Sequence, residues 1–169
     1  MAFEPNFALI PLVAFIPLII AVVWYHPNVF GRTLENQTKT KMPPFGVFRA
    51  VGSYILGFLT AFGLMGYVNH QMSLLQLFIG REGFGQEGTE ATLAFEQAAK
   101  LVGDMHLSFG HGVVHGVLGA VVFILPVIIV LAVRERHNVK YILIHFGYWL
   151  LSWVLMSGVL CEWGMKVNL

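Results

Sequence analysis

The sequence predicts an all-α integral membrane protein: four transmembrane helices in a bundle, with a long loop on the outer side carrying a short amphipathic helix. Three observations point there. Of the 169 residues, 57% are hydrophobic and only 11% charged, whereas a soluble domain carries roughly 25% charged residues. Mean hydropathy is +0.73. The apolar residues collect into four stretches, about 7–25, 47–68, 112–133 and 141–163, each close to the roughly 20 residues that cross hydrocarbon as a helix. Hydrocarbon offers the backbone no water, so each stretch must satisfy its own amides and carbonyls as a helix. We read 1–169 as one four-span domain whose first partner is the lipid bilayer. The net charge of +1 leaves no basic footprint for nucleic acid. The one cysteine, Cys161, excludes an internal disulfide and a multi-cysteine metal site.

Span one is "FALIPLVAFIPLIIAVVWY". No Lys or Arg precedes it and no A-x-A-like cleavage site follows, so it is expected to stay as a span rather than act as a signal peptide. Pro11 and Pro17 each remove a backbone donor and predict bends. Trp24 and Tyr25 are expected as interfacial anchors, with Pro27 ending the helix and Gly31 turning the chain. In span two, Ser53, Gly57 and Ala61 recur every four residues; in span three Gly112, Gly116 and Ala120 do the same. Small residues at that spacing let helices approach closely, within one chain or between chains. Pro126 predicts a further bend in span three. Span four ends at a third aromatic anchor, Trp163.

The loop between spans two and three, 69–110, is too long for a mere connection. In "TEATLAFEQAAKLVG" the residues Ala91, Phe95, Ala98, Ala99 and Val102 fall on one helical face, and Gly103 stands at the C-cap position. That apolar face suits the membrane surface or a partner, and equally a lid over the protein's own bundle. Sidedness follows from the basic residues. Arg32, Lys39, Lys41 and Arg49 lie between or at spans one and two, and Arg134, Arg136 and Lys140 between spans three and four. These seven of the ten Lys and Arg place loops 26–45 and 134–140 in the cytoplasm, with both termini and loop 69–110 outside.

That topology gathers polar residues at the outer end. "HLSFGHGVVHG" holds His106, His111 and His115, the last two one turn apart on one face. His70 follows span two, and Glu162 ends span four. A metal site of His70, His106, His111, His115 and Glu162 suits zinc, copper or iron. Two histidines could instead ligate a haem. The plainer expectation is that His111 and His115 are interfacial polar residues, with Glu162 as partner of at least one, so that no cofactor is called for. H-x-x-x-H without the Glu of H-E-x-x-H is not a zinc signature. His145 lies one turn inside the other end of span four, near Tyr141, Tyr148 and Trp149, and shares its side with His26 and His137. A bilayer core of roughly 30 Å separates it from the outer cluster.

"WYHPNVFG", with W-Y-x-P ending the first span and F-G after it, resembles the bacterial membrane family catalogued as domain of unknown function 1761. The glycine- and histidine-bearing third span and the final "YILIHFGYWLLSWVLMSGVLCEWG" are similar to the same family. Arg32 follows F-G as in that family, while Thr33 and Leu34 stand where a nearby Trp is expected. The resemblance implies a four-span bundle in a bacterial inner membrane and carries no catalytic residues with it. No phosphate loop, dinucleotide fingerprint or activated nucleophile stands out either. From the sequence we therefore expect a non-catalytic, multi-pass accessory or structural subunit, packed against other membrane proteins or copies of itself. Metal or haem binding at the outer histidines is the alternative, and a small transporter a weaker one.

Overall fold

The computed structural model describes residues 2–41 and 46–168. Part of the first inter-span loop, 42–45, lies outside the described residues. Among the described residues, four helices are long and apolar enough to cross a membrane: Phe7–Trp24, Val47–Val68, Phe109–Arg134 and Val139–Trp163. The chain is therefore an all-α, multi-pass membrane protein.

Span one is built from a 3-10 turn (Phe7–Leu9), α1 (Ile10–Val13) and α2 (Phe15–Trp24). It breaks at Ala14 because Pro17 has no N–H for the carbonyl of Val13. The break is held by neighbours. Tyr54 of α4 (Val47–Val68, span two) donates its hydroxyl to Pro11 O at 3.3 Å, and Tyr148 of span four donates to Pro17 O at 3.1 Å. Ala14 is wholly buried, and a Cβ on Gly57 would stand 2.6 Å from its carbonyl oxygen. The expected small-residue face of span two thus meets the bend of span one, with Gly57 and Ala61 buried and Ser53 half-buried.

After span one, His26 caps a single π turn, Pro27–Gly31, by accepting the Asn28 amide at 3.2 Å. This runs into α3 (Arg32–Thr38), an element the sequence did not suggest. Trp24 and Tyr25 both reach span four. Trp24 Nε1 donates to Ile144 O at 2.9 Å, its ring covers Gly147, and the Tyr25 hydroxyl meets His145 Nδ1 at 3.0 Å. The aromatics join span one to span four, because glycine at 147 leaves room for an indole. Trp163 remains exposed.

Loop 69–110 folds into a helical hairpin, α5 (His70–Phe78) and α6 (Glu90–Val102). The glycine-rich turn between them uses left-handed backbone at Gly80, Gly83, Gly85 and Gly88. Phe95 and Ala99 are buried, as the predicted face requires, against Phe3 and Met165, with Met72, Phe78 and Phe84 around them. The hairpin is a lid on the protein's own chain, seated on a terminal ribbon. In that ribbon β1 (Ala2–Pro5) pairs antiparallel with β2 (Met165–Asn168). The pairing brings both termini to one end.

Span three comprises α7 (Phe109–Gly119), a π turn (Ala120–Ile124) and α8 (Leu125–Arg134). The π turn lies just ahead of Pro126, whose missing N–H frees the carbonyl of Val122. Span four is α9 (Val139–Trp163), started by Asn138, whose side chain accepts the amides of Lys140 and Tyr141. α7 and α9 pack backbone to backbone. A Cβ on Gly116 would lie 2.8 Å from Trp153 O, and one on Gly112 would collide with Ser157 O. The core between spans one, two and four is Ile10, Val13, Ala61, Leu64, Met65, Val68, Met156, Leu160 and Cys161. Outward faces remain apolar and exposed, as at Leu59, Val130 and Ile19, which suits a lipid surround.

Candidate metal centre

Two junctions position the histidines. At the first, Asn69 separates α4 from α5 in extended conformation. Its buried side chain donates to Met65 O at 2.9 Å and Leu160 O at 3.2 Å. Gln71, also buried, donates to Gly103 O and Met105 O, both at 3.1 Å. These bonds hold His70, at the start of α5, over the N-terminus of α7. At the second junction, Ser108 caps α7 by accepting the His111 amide at 3.3 Å. Glu162 Oε2 accepts the Phe109 amide at 3.1 Å. Close packing of Gly112, Gly116 and Gly158 between α7 and α9 sets the depth of His111 and His115.

The result is a convergence of ring nitrogens. His70 Nε2 lies 3.1 Å from His111 Nε2, which lies 3.0 Å from His115 Nε2. Ligand atoms of all three fall within 4.8 Å of one another. Hydrogen bonding alone does not account for this. A ring nitrogen has one in-plane site, holding either a proton or a lone pair, so His111 Nε2 serves one neighbour and leaves the other unserved. One cation accepts all three lone pairs. Nitrogens at about 2.0–2.1 Å from tetrahedral zinc stand roughly 3.3–3.4 Å apart, a few tenths of an ångström beyond the observed spacing. Among the described residues none hydrogen-bonds the buried His115 Nδ1, so none of them fixes that ring's tautomer against presenting Nε2. Its ring meets Tyr67 edge-on at 5.3 Å.

The structure brings His70, His111 and His115 together and sorts the other two candidates differently. His106 stacks on His111, with ring centroids 4.6 Å apart and planes 24° from parallel, but stands outside the trio. Its backbone is left-handed (φ 69°), and its carbonyl accepts from Cys161 Sγ at 3.2 Å. Glu162 is not the partner of either histidine, contrary to the expectation from sequence. The amide of Phe109 takes its carboxylate, because the exposed N–H groups of a helix start attract an anion more strongly than a neutral ring does. A haem does not fit between these rings either. They touch, and two axial ligands must face each other across a flat macrocycle.

Asn69, Gln71 and Ser108 escaped the sequence reading. A signal existed: "VNHQ" places two amides around a histidine at the end of an apolar run. At the opposite end, His145 joins Tyr25, and Tyr141 lies between His137 and His145 with ring centroids 4.1 and 4.3 Å away. Tyr25 was the unforeseen member there.

Two comparisons with known proteins give nothing: no curated protein and no solved structure matches the chain. A family model, described as protein of unknown function (DUF1761), matches residues 9–161. That match takes in spans two and three, nearly all of spans one and four, the hairpin lid and the histidine trio, so the chain belongs to the DUF1761 family of proteins of unknown function.

Proposed function

We propose that the chain is a membrane protein that holds a divalent transition-metal ion through His70, His111 and His115. The observation that carries this is the approach of two ring nitrogens to His111 Nε2 at 3.0 and 3.1 Å, more than one hydrogen bond can use. An all-imidazole set suits zinc, copper, nickel or cobalt rather than calcium or magnesium. We assign the site binding rather than catalysis. Support comes from Glu162, whose carboxylate meets the Phe109 amide at the start of α7 rather than a histidine of the trio. The proposed setting is a bacterial inner membrane with the metal on the outer face. Support comes from the seven basic residues at the opposite end.

Elemental analysis of detergent-purified protein tests the proposal, with about one transition metal per chain expected. The double variant His111→Gln/His115→Gln should lose it while staying folded. Metal-free wild type that also fails to take up zinc or copper on titration would sink the reading.

A second reading, an accessory subunit packed against other membrane proteins or a second copy, has its own support. Among the described residues, none places an atom within 4 Å of the Cβ positions of Gly52 and Gly63 in span two. They leave flat patches on which another helix can sit.

A further inference from the structure

At the end of the bundle opposite the histidine trio, a cavity of about 550 Å³ opens between the spans. Its walls come from four separate pieces of chain: Tyr25 after span one, Thr38 and Lys41 at the end of α3, Arg49 at the start of span two, and Tyr141 and His145 in span four. Glu135 and His137 close the rim and pair with each other at 3.2 Å. Lys41 is exposed, and among the described residues no carboxylate pairs with it. The Tyr25 hydroxyl and His145 Nδ1 meet at 3.0 Å, a contact that leaves the Nε2 edge of the ring unused by Tyr25. Two cations, Lys41 and Arg49, and one carboxylate, Glu135, thus line a space at the end of the spans. The ground around the rim is apolar: Val47, Phe48, Val139 and Leu143 are all exposed at the same helix ends.

We propose that this cavity binds a phosphate anion at the membrane surface, with Lys41 and Arg49 supplying charge and Tyr25 and His145 forming its inner wall. The phosphate is that of an anionic lipid headgroup or of a soluble compound, and the test below distinguishes the two. Basic pockets between helix ends are built for such groups. Exposed apolar helix ends beside the rim offer acyl chains a place to lie, which favours the lipid source.

The test is thermal unfolding of the intact, detergent-purified protein, followed by tryptophan fluorescence, in titrations with three probes. These are phosphatidylglycerol, phosphatidylcholine (whose headgroup has no net charge) and inorganic phosphate. The expected result is a saturable rise in Tm with phosphatidylglycerol but not with phosphatidylcholine. A rise with inorganic phosphate that saturates the site equally well identifies a soluble phosphate as the source and supports the same chemistry. Lys41→Glu should weaken the response by roughly tenfold or more. Arg134→Gln/Lys140→Gln, which removes charge at the same end outside the cavity, should leave most of it. If Lys41→Glu does not fold, His145→Gln reads the cavity from its inner wall and should weaken the response in the same way. No response to phosphatidylglycerol or phosphate would overturn the proposal. So would a response untouched by the cavity variants, or one lost equally in the control pair.

Discussion

His111 Nε2 can accept one hydrogen or donate one, and two ring nitrogens stand within 3.1 Å of it. That mismatch of valence supports the proposed metal centre over a set of interfacial histidines, and it belongs to single atoms. The same scale explains Glu162. A carboxylate at a helix N-terminus satisfies amides that have no partner within the helix, and the interaction contributes on the order of 1 kcal/mol. Glu162→Gln should therefore lower thermal stability modestly and leave metal stoichiometry and affinity unchanged. Titration of the purified variant with zinc, beside its melting curve, checks both halves. A variant of normal stability with weakened zinc affinity would make Glu162 a ligand after all. All members of the trio are legible in the sequence as histidines near one end of the bundle. What the sequence does not carry is the choice among partners. Glu162, His106 and His70 are all near His111 by topology, and only the capping of α7 and the bonds of Asn69 and Gln71 decide which of them reaches it.

At the scale of elements, the glycines divide into two kinds that sequence spacing does not distinguish. Gly116 has α9 backbone against it, with Trp153 O and Val154 Cα each 2.8 Å from where a Cβ would be. Gly63, in the adjacent span, faces open space. Gly116→Ala should force α7 and α9 apart, and overpacking of this sort typically costs about 1–3 kcal/mol. Gly63→Ala should be neutral or stabilising by up to about 1 kcal/mol, since alanine is the better helix former. Melting temperatures of the two variants in one detergent give the comparison. Equal behaviour would refute the close α7–α9 contact, while selective loss of a copurifying partner in Gly63→Ala would place a subunit interface there. The long elements could be read beforehand because an apolar run near membrane length has one stable solution. The short ones could not. β1 and β2 are four residues each and exist because the far ends of the chain meet, a fact absent from either segment alone. α3 likewise follows from the turn after His26, where a Cβ on Gly31 would come 2.5 Å from Tyr25 O; spacing of apolar residues has no record of that contact.

The whole molecule is polar in the literal sense, with different chemistry at its two ends. One end carries the paired termini, the hairpin lid and the three histidines. The other carries seven of the ten basic residues. Since short basic loops stay in the cytoplasm, the lid and the proposed metal should face outward, where a metal arrives without crossing the bilayer. The protein is well suited to a direct test because its sole cysteine, Cys161, is buried against Val68 and His106 and should react poorly with thiol reagents. Gly85→Cys and Arg136→Cys, made singly, each add one exposed thiol to that quiet background. Gly85 has a left-handed backbone (φ 85°), which costs a side chain about 1–2 kcal/mol. That strain falls in an exposed turn remote from the spans, and a cysteine at neighbouring Gln86 serves equally well. In intact cells, a membrane-impermeant maleimide should label the position in the lid and spare Arg136→Cys, which should label only after permeabilisation. The reverse pattern would turn the molecule over, placing the histidine trio in the cytoplasm and the basic cavity outside. Labelling of both positions in intact cells would break the four-span topology itself, because the lid and the loop between spans three and four lie at opposite ends of one membrane-spanning helix.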